Sequence, residues 1–167
     1  MSNIFITSDT HFHHANIIRY CGRPFADADE MDEKLIENWN NIVKPQDKIY
    51  HLGDVYFHSK TKNTEHSVLQ RLNGIKVLIV GNHDDIKDPL LHKYFSQIYM
   101  WHHLKKHNMI FSHVPLHPLS IPLRDETTNV HGHIHEKQSP TDAKYFNICV
   151  EHTNYAPVAL EDLKKRI

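Results

Sequence analysis

The chain has 167 residues, 40% hydrophobic and 23% charged, the make-up of a globular domain with a sizeable apolar core. Lysine and arginine number 19 against 20 aspartates and glutamates, which excludes a generally basic coat for nucleic acid but not a local basic groove. Two cysteines are too few for a disulfide framework, and no apolar run approaches the roughly 20 residues of a membrane span. The opening "MSNIFITSD" has neither the basic nor the apolar region of a secretion signal. A cytoplasmic protein in a reducing compartment, without membrane contact, is expected.

In chain order, "NIFITSD" (3–9) predicts a short buried strand. From Asp27 to Val43, Met31, Leu35, Trp39 and Ile42 recur at helical spacing behind an acidic first turn, and Pro45 stops the helix. "DKIYHLGD" (47–54) predicts a second strand. A helix over Thr64–Leu72 is closed by Asn73-Gly74, and "IKVLIVGNHD" (75–84) contains the third strand. Asp88–Phe95 reads as a short helix. "QIYMWHHLKKHNMIFSHVP" (97–115) reads as two strands joined by a polar turn at Lys105–Asn108. A proline-bearing loop spans Val114–Thr128. "NVHGHIH" (129–135) and "KYFNICVE" (144–151) predict two more strands, and Ala159–Ile167 a final short helix. No repeat or Gly/Ser linker divides the chain, so residues 1–167 are expected to form one mixed-sheet α/β domain without a cap domain.

Seventeen histidines are the compositional oddity. Scattered ones such as His66, His92 and His107 read as surface polarity, and position must identify the rest. Five apolar runs end in the same chemistry. Ile4-Phe5-Ile6 leads to Asp9 and His11, and Ile49-Tyr50 to Gly53-Asp54. Val77–Val80 leads to Asn82, His83 and Asp84, Met109-Ile110-Phe111 to His113, and Val130 to Gly132-His133-Ile134-His135. In an open α/β sheet, ligands bind beyond the carboxyl ends of the strands. If these ends are neighbours, they gather carboxylates, an amide and imidazoles that must be paired or bound to metal. Oxygen and imidazole ligands without thiolate suit Mn, Fe, Co, Ni or Zn. In an extended chain, the two histidines of "GHIH" fall on one face, and His131 shares it.

Taken in order, "DTH", "GD", "GNHD", "H" and "GHIH" resemble the signature of the calcineurin-like metallophosphoesterases. "SDTHFHHANIIRYCGRPF", "LIENWNNIV", "DKIYHLGDV" and "NICVEHTNYAPVALEDL" bring the chain closer to a branch of small bacterial and phage members. The resemblance implies two packed mixed β-sheets flanked by helices, with a dinuclear metal site at the strand C-terminal ends. It places Asp9, His11 and His135 on one ion and Asn82, His113 and His133 on the other, with Asp54 bridging. His131 is left as a packed neighbour. His83 is implied to face the substrate, stabilise the transition state and protonate the leaving alkoxide, with Asp84 holding its tautomer. His14, His58, Arg23 and Arg124 are candidate substrate contacts, while His13 is expected to face solvent. Trp39 and Trp101 read as packing residues.

The implied activity is a metal-dependent phosphoesterase, phosphodiesters slightly ahead of phosphomonoesters, in which a water shared by the two ions attacks phosphorus. Manganese leads the candidate cofactors, with Fe, Ni, Co or Zn as alternatives. Nucleotides, cyclic nucleotides and nucleic-acid ends are the candidate substrates. The competing reading is a non-catalytic metal-binding scaffold of the same fold. The intact His83 and seven ligand positions argue against it.

Overall fold

Strand β1 (Ile4–Thr7) leads through a tight loop into α1 (Ala15–Tyr20) and the long helix α2 (Ala28–Ile42). Then come β2 (Lys48–His51), α3 (Thr64–Arg71), β3 (Ile75–Ile79), α4 (Pro89–Tyr94), β4 (Gln97–Tyr99), β5 (Trp101–Leu104) and β6 (Met109–Ser112). The chain closes with β7 (Thr128–His131), β8 (Tyr145–Asn147), β9 (Val158–Ala159) and α5 (Leu160–Leu163). The computed structural model describes residues 2–57, 64–121, 126–139 and 144–167.

The helices begin where side chains can cap them. Asp27 accepts a hydrogen bond from the Glu30 N–H at the start of α2. Asp88 does the same for Leu90 at α4, with Pro89 at the first helical position, where it lacks only a donor that the helix would not use. On α2, Met31, Leu35, Ile36 and Trp39 are buried, whereas Ile42, in the last turn, is 39% exposed. Asp32 lies within that buried stripe, and His13 is its partner.

Two sheets form, in the orders β4-β3-β2-β1-β9 and β5-β6-β7-β8. Strands β1 to β4 run parallel and β9 antiparallel to β1; β6, β7 and β8 run parallel and β5 antiparallel to β6. Strand side chains alternate between faces. Accordingly Phe5, Ile49 and Leu78 join Met31, Leu35, Trp39 and Leu69 in a core beneath the helices. Ile6, Tyr50, Val77 and Ile79 instead meet Leu104, Met109, Phe111 and Val130 between the sheets. Burial on both faces is why the β1 and β3 sequences are apolar almost throughout. Among the described residues, no helix is long and apolar enough to cross a membrane.

The structure adds the short helix α1, which the sequence reading did not anticipate, and otherwise departs from the sequence expectations in the second half. Residues 97–112 form three strands, because the chain changes sheets at Met100: β4 closes one sheet and β5 edges the other. Trp101 lies at that edge and is 57% exposed rather than packed. Strand β7 ends at His131, and "GHIH" turns rather than extends, with His133 and His135 at φ of 71° and 50°. After Asn147 the chain passes into a 3₁₀ turn over Val150–His152, and a short strand, β9, precedes the last helix. Each of these breaks falls at a sheet edge or at the site, where long-range pairing overrides local pattern.

Candidate metal centre

The loops leaving β1 and β2 run side by side. The Asp9 N–H donates to the Gly53 carbonyl, His11 to Asp54 and Phe12 to Val55, each at 3.0 Å. The β7 loop is tied to both sheets: the Gly132 N–H donates to the His113 carbonyl at 2.8 Å, and the His133 N–H to Asp9 Oδ2 at 3.0 Å. The fit is close. A Cβ on Gly53 would lie 2.6 Å from Gly81 Cα, and one on Gly132 would overlap Ser8 Oγ and Asp9 Oδ2.

Asp9, His11, Asp54, His133 and His135 all have φ between 50° and 71°, the left-handed region that side chains avoid. Each such residue costs about 1–3 kcal/mol and persists only where its surroundings over-determine it. Five in one cluster mark a place where geometry, not local comfort, sets the backbone.

These turns bring together two candidate ligand sets, groups of atoms that could hold a metal ion. In the first, atoms of Asp9, His11 and His135 lie within 4.8 Å of one another. Both imidazoles turn Nε2 toward Asp9 Oδ1, at 4.0 Å from His11 and 3.8 Å from His135. In the second, atoms of Asp54, His113 and His133 are equally close. His113 Nε2 is 3.4 Å from Asp54 Oδ2, 3.2 Å from His133 Nδ1 and 2.9 Å from Asn82 Oδ1. Asp54 Oδ2 is also 3.5 Å from His11 Nε2, so it lies between the two sets.

The donor chemistry fits divalent cations. His113 Nδ1 faces the Leu52 carbonyl at 2.8 Å and must donate to it, so Nε2 is the nitrogen that faces the oxygens of Asn82 and Asp54 and would ligate a cation on releasing its proton. His135 Nδ1 likewise donates to Glu151 Oε1 at 3.1 Å, the carboxylate–histidine arrangement that orients metal ligands. His11 Nε2 is buried and has no hydrogen-bond partner among the described residues. A cation would satisfy this nitrogen together with the oxygens that converge beside it.

Electrostatics point the same way. Burial drives the His11 pKa down to about 2, against the pull of Asp54, so its ring is neutral. Burial also lowers His135, but hydrogen bonds with Cys21 and Glu151 and the Asp9 charge outweigh it and take the pKa to about 10. A cation held by His135 would have to displace a proton from it. Burial raises the Asp9 carboxyl. At Asp54 burial is outweighed by the His113 hydrogen bond and charge, and the carboxyl stays well below the usual range. Burial raises the Cys149 thiol far above its ordinary value, and this thiol donates to Asp9 Oδ2 at 3.2 Å.

His83 lies exposed at the mouth of the site, its ring centroid 5.4 Å from that of His11. Its backbone N–H donates to Asp54 Oδ1 at 2.9 Å, leaving Oδ2 to face the histidines. A cleft of about 310 Å³ opens there, lined by His11, His14, Tyr20, His83, His133 and His135 among others. His14 stacks on Phe57 at 4.4 Å.

Other expected residues are placed differently. The Asp84 carboxylate accepts from the N–H groups of Asp54, Val55 and Gly81, at 2.9, 2.9 and 2.8 Å. It staples two ligand-bearing loops together instead of steadying the His83 ring. Asp84→Ala strands three donors and is expected to cost about 1–3 kcal/mol for the lost acceptor. Calorimetric melting of metal-free protein should show a fall of several degrees; an unchanged midpoint would remove the staple.

Arg23, a candidate phosphate clamp, is buried and bonded to Glu151, Thr10 and Asp9. His13 is not a solvent-facing residue: its Nδ1 is 2.6 Å from Asp32 Oδ2. His131 is wholly buried and held by the Gly132 carbonyl and Ser139, apart from the ligand sets. His58 and Arg124 lie outside the described residues. Sequence reasoning passed over Glu151, and also Cys21, which forms a third close group with His135 and Glu151. The only signal for either was its place in a branch-like stretch.

The family model described as calcineurin-like phosphoesterase matches residues 2–163. The uncharacterized protein MJ1445 of Methanocaldococcus jannaschii is 35% identical over all of this chain and 92% of its own length. The Gene 66 protein of Mycobacterium phage L5 is 37% identical over half of this chain and 41% of its own. The crystal structure of AQ665 from Aquifex aeolicus, a protein of unknown function, superposes with a TM-score of 0.78 at 28% identity, covering both chains completely.

Proposed function

The chain belongs to the calcineurin-like phosphoesterase family, and on that basis we propose that it hydrolyses phosphate esters with two divalent cations, preferring diesters to monoesters. The observation that carries this reading is the position of Asp54 Oδ2, 3.5 Å from the imidazole of one ligand set and 3.4 Å from that of the other. Asp9, His11 and His135 would hold one cation and Asn82, His113 and His133 the second, with Asp54 shared. Bound cations, manganese foremost, supply Lewis acidity that activates water and neutralises phosphate charge.

The remaining work falls to side chains. His83, at the mouth, donates a proton to the departing alkoxide, and its own N–H holds Asp54 in register. Asp84 fixes the loops that carry both residues. His14, on the cleft wall, contacts the phosphate or its substituent. The exposure of Asn82 and His83 leaves room for a second ester substituent, which favours diesters. Nucleotides, cyclic nucleotides and nucleic-acid ends are the first natural classes to try.

The test uses metal-stripped protein refilled with Mn²⁺ and supplied with bis(p-nitrophenyl) phosphate or p-nitrophenyl phosphate. Faster turnover of the diester is expected. Faster turnover of the monoester reverses the preference and directs attention to phosphatase substrates. No turnover of either, with Mn, Fe, Co, Ni or Zn, retires the enzyme in favour of a metal-binding scaffold.

A further inference from the structure

Two stretches that mark the chain as branch-like, "CGRPF" and "NICVEHTNYAP", contribute no residue to either ligand set, yet they converge behind one of them. Arg23 Nε and Nη2 both donate to Glu151 Oε1, at 2.9 and 2.7 Å, across 128 positions of sequence. The same oxygen accepts from His135 Nδ1 at 3.1 Å. The His135 carbonyl accepts from Asn147 Nδ2 and from His152 Nε2, each at 2.8 Å, so the second stretch grips both ends of this residue. On its other side the guanidinium donates to the carbonyls of Thr10 and Asp9, at 2.9 and 2.7 Å. The Arg23 side chain is 0% exposed and that of Glu151 5%.

One buried cation–carboxylate pair thus anchors two members of a single ligand set, Asp9 and His135, and touches none of the other. We propose that Arg23 and Glu151 are positioning residues that fix the ring and tautomer of His135 and set the cation affinity of the Asp9–His11–His135 set selectively. Both anchored residues have left-handed backbone, φ 57° and 50°, a conformation that needs support from outside the loop. Glu151 makes Nδ1 the donor, which leaves Nε2 as the ligand atom, and its charge raises the basicity of that nitrogen. Of the metal-dependent reading, the inference needs only that cations bind.

Isothermal titration of metal-stripped protein with Mn²⁺ tests it without recourse to activity. Glu151→Gln keeps the shape and an oxygen for His135 but withdraws the charge that pairs with Arg23. It should weaken by about 10- to 100-fold the site that His135→Ala removes, the range for residues that orient metal ligands. The site that His113→Ala removes should keep its wild-type affinity. Equal weakening of both sites, or of neither, overturns the proposal. If circular dichroism shows Glu151→Gln unfolded, Arg23→Lys is judged by the same criterion, and unfolding of both assigns the pair to stability alone and overturns it. A wild-type chain that binds no Mn²⁺ fails differently, since the metal-dependent reading then falls first and the inference with it.

Discussion

An Asp54→Asn protein is expected to fold, to lose its cations and to hydrolyse phosphate esters no faster than the blank. Asn is the cleanest replacement at this position. Asp54 has φ 56°, and asparagine is among the few side chains that tolerate that region. The amide has only one oxygen, and the His83 N–H, 2.9 Å from Oδ1, requires an acceptor there. The NH₂ group must then take the place of Oδ2, within 3.5 Å of His11 Nε2 and 3.4 Å of His113 Nε2. It presents hydrogens to the two imidazole nitrogens where the carboxylate presented lone pairs and charge. A single substitution thereby removes the shared ligand and occupies both imidazoles, while the backbone bonds of the loop stay in place. Metal content by plasma mass spectrometry and melting without metal separate the two effects: content should collapse and the midpoint should hold. A variant that kept two cations and wild-type turnover would exclude Asp54 as the shared ligand.

His83→Ala should behave in the opposite way, retaining the cations and losing the rate. The ring lies at the mouth of the cleft and belongs to neither ligand set, and the contact that His83 makes to Asp54 is through its backbone, which alanine preserves. Removing a general acid lowers turnover by about 10²- to 10⁴-fold. The size of the loss should depend on the leaving group. p-Nitrophenolate departs with little help, so p-nitrophenyl esters should show the lower end of that range and alkyl esters the upper end. kcat for a p-nitrophenyl and a methyl ester of the same phosphate, measured on wild type and variant, checks this. An equal loss for both esters would argue against proton donation, and loss of the cations would make His83 a structural member of the site.

Much of this centre could be read from local pattern. A buried strand announces itself within a few residues, as in Val77–Ile79, and the polar residues that follow must emerge at its end whatever the rest of the chain does. The same locality made α2 legible, since Asp27 caps it and Met31, Leu35 and Trp39 recur on one face. Six of the seven residues that the resemblance implies as ligands lie in two close groups, and Asn82 joins them through its contact with His113; Asp54 Oδ2 lies between the groups.

What local pattern could not supply was the identity of partners. Asp84 stands beside His83 in sequence, yet its carboxylate serves backbone donors on a loop about 30 positions away. Arg23, a plausible clamp when read alone, is consumed by Glu151 and by carbonyls of the first loop. His131, His133 and His135 alternate in a way that suggests one face. The chain turns after His131 because the loop must approach Ser8 and Asp9, and this buries His131 while directing the other two to separate sets. Periodicity and caps act over a turn of helix or a few residues of strand, so the sequence by itself determined the long elements and the chemistry at their ends, but not the short α1 and β9 or the break at Met100. Only the order of strands in the two sheets decided which of those ends face one another, and with that which side chains gather into the two close groups and which are held in place behind them.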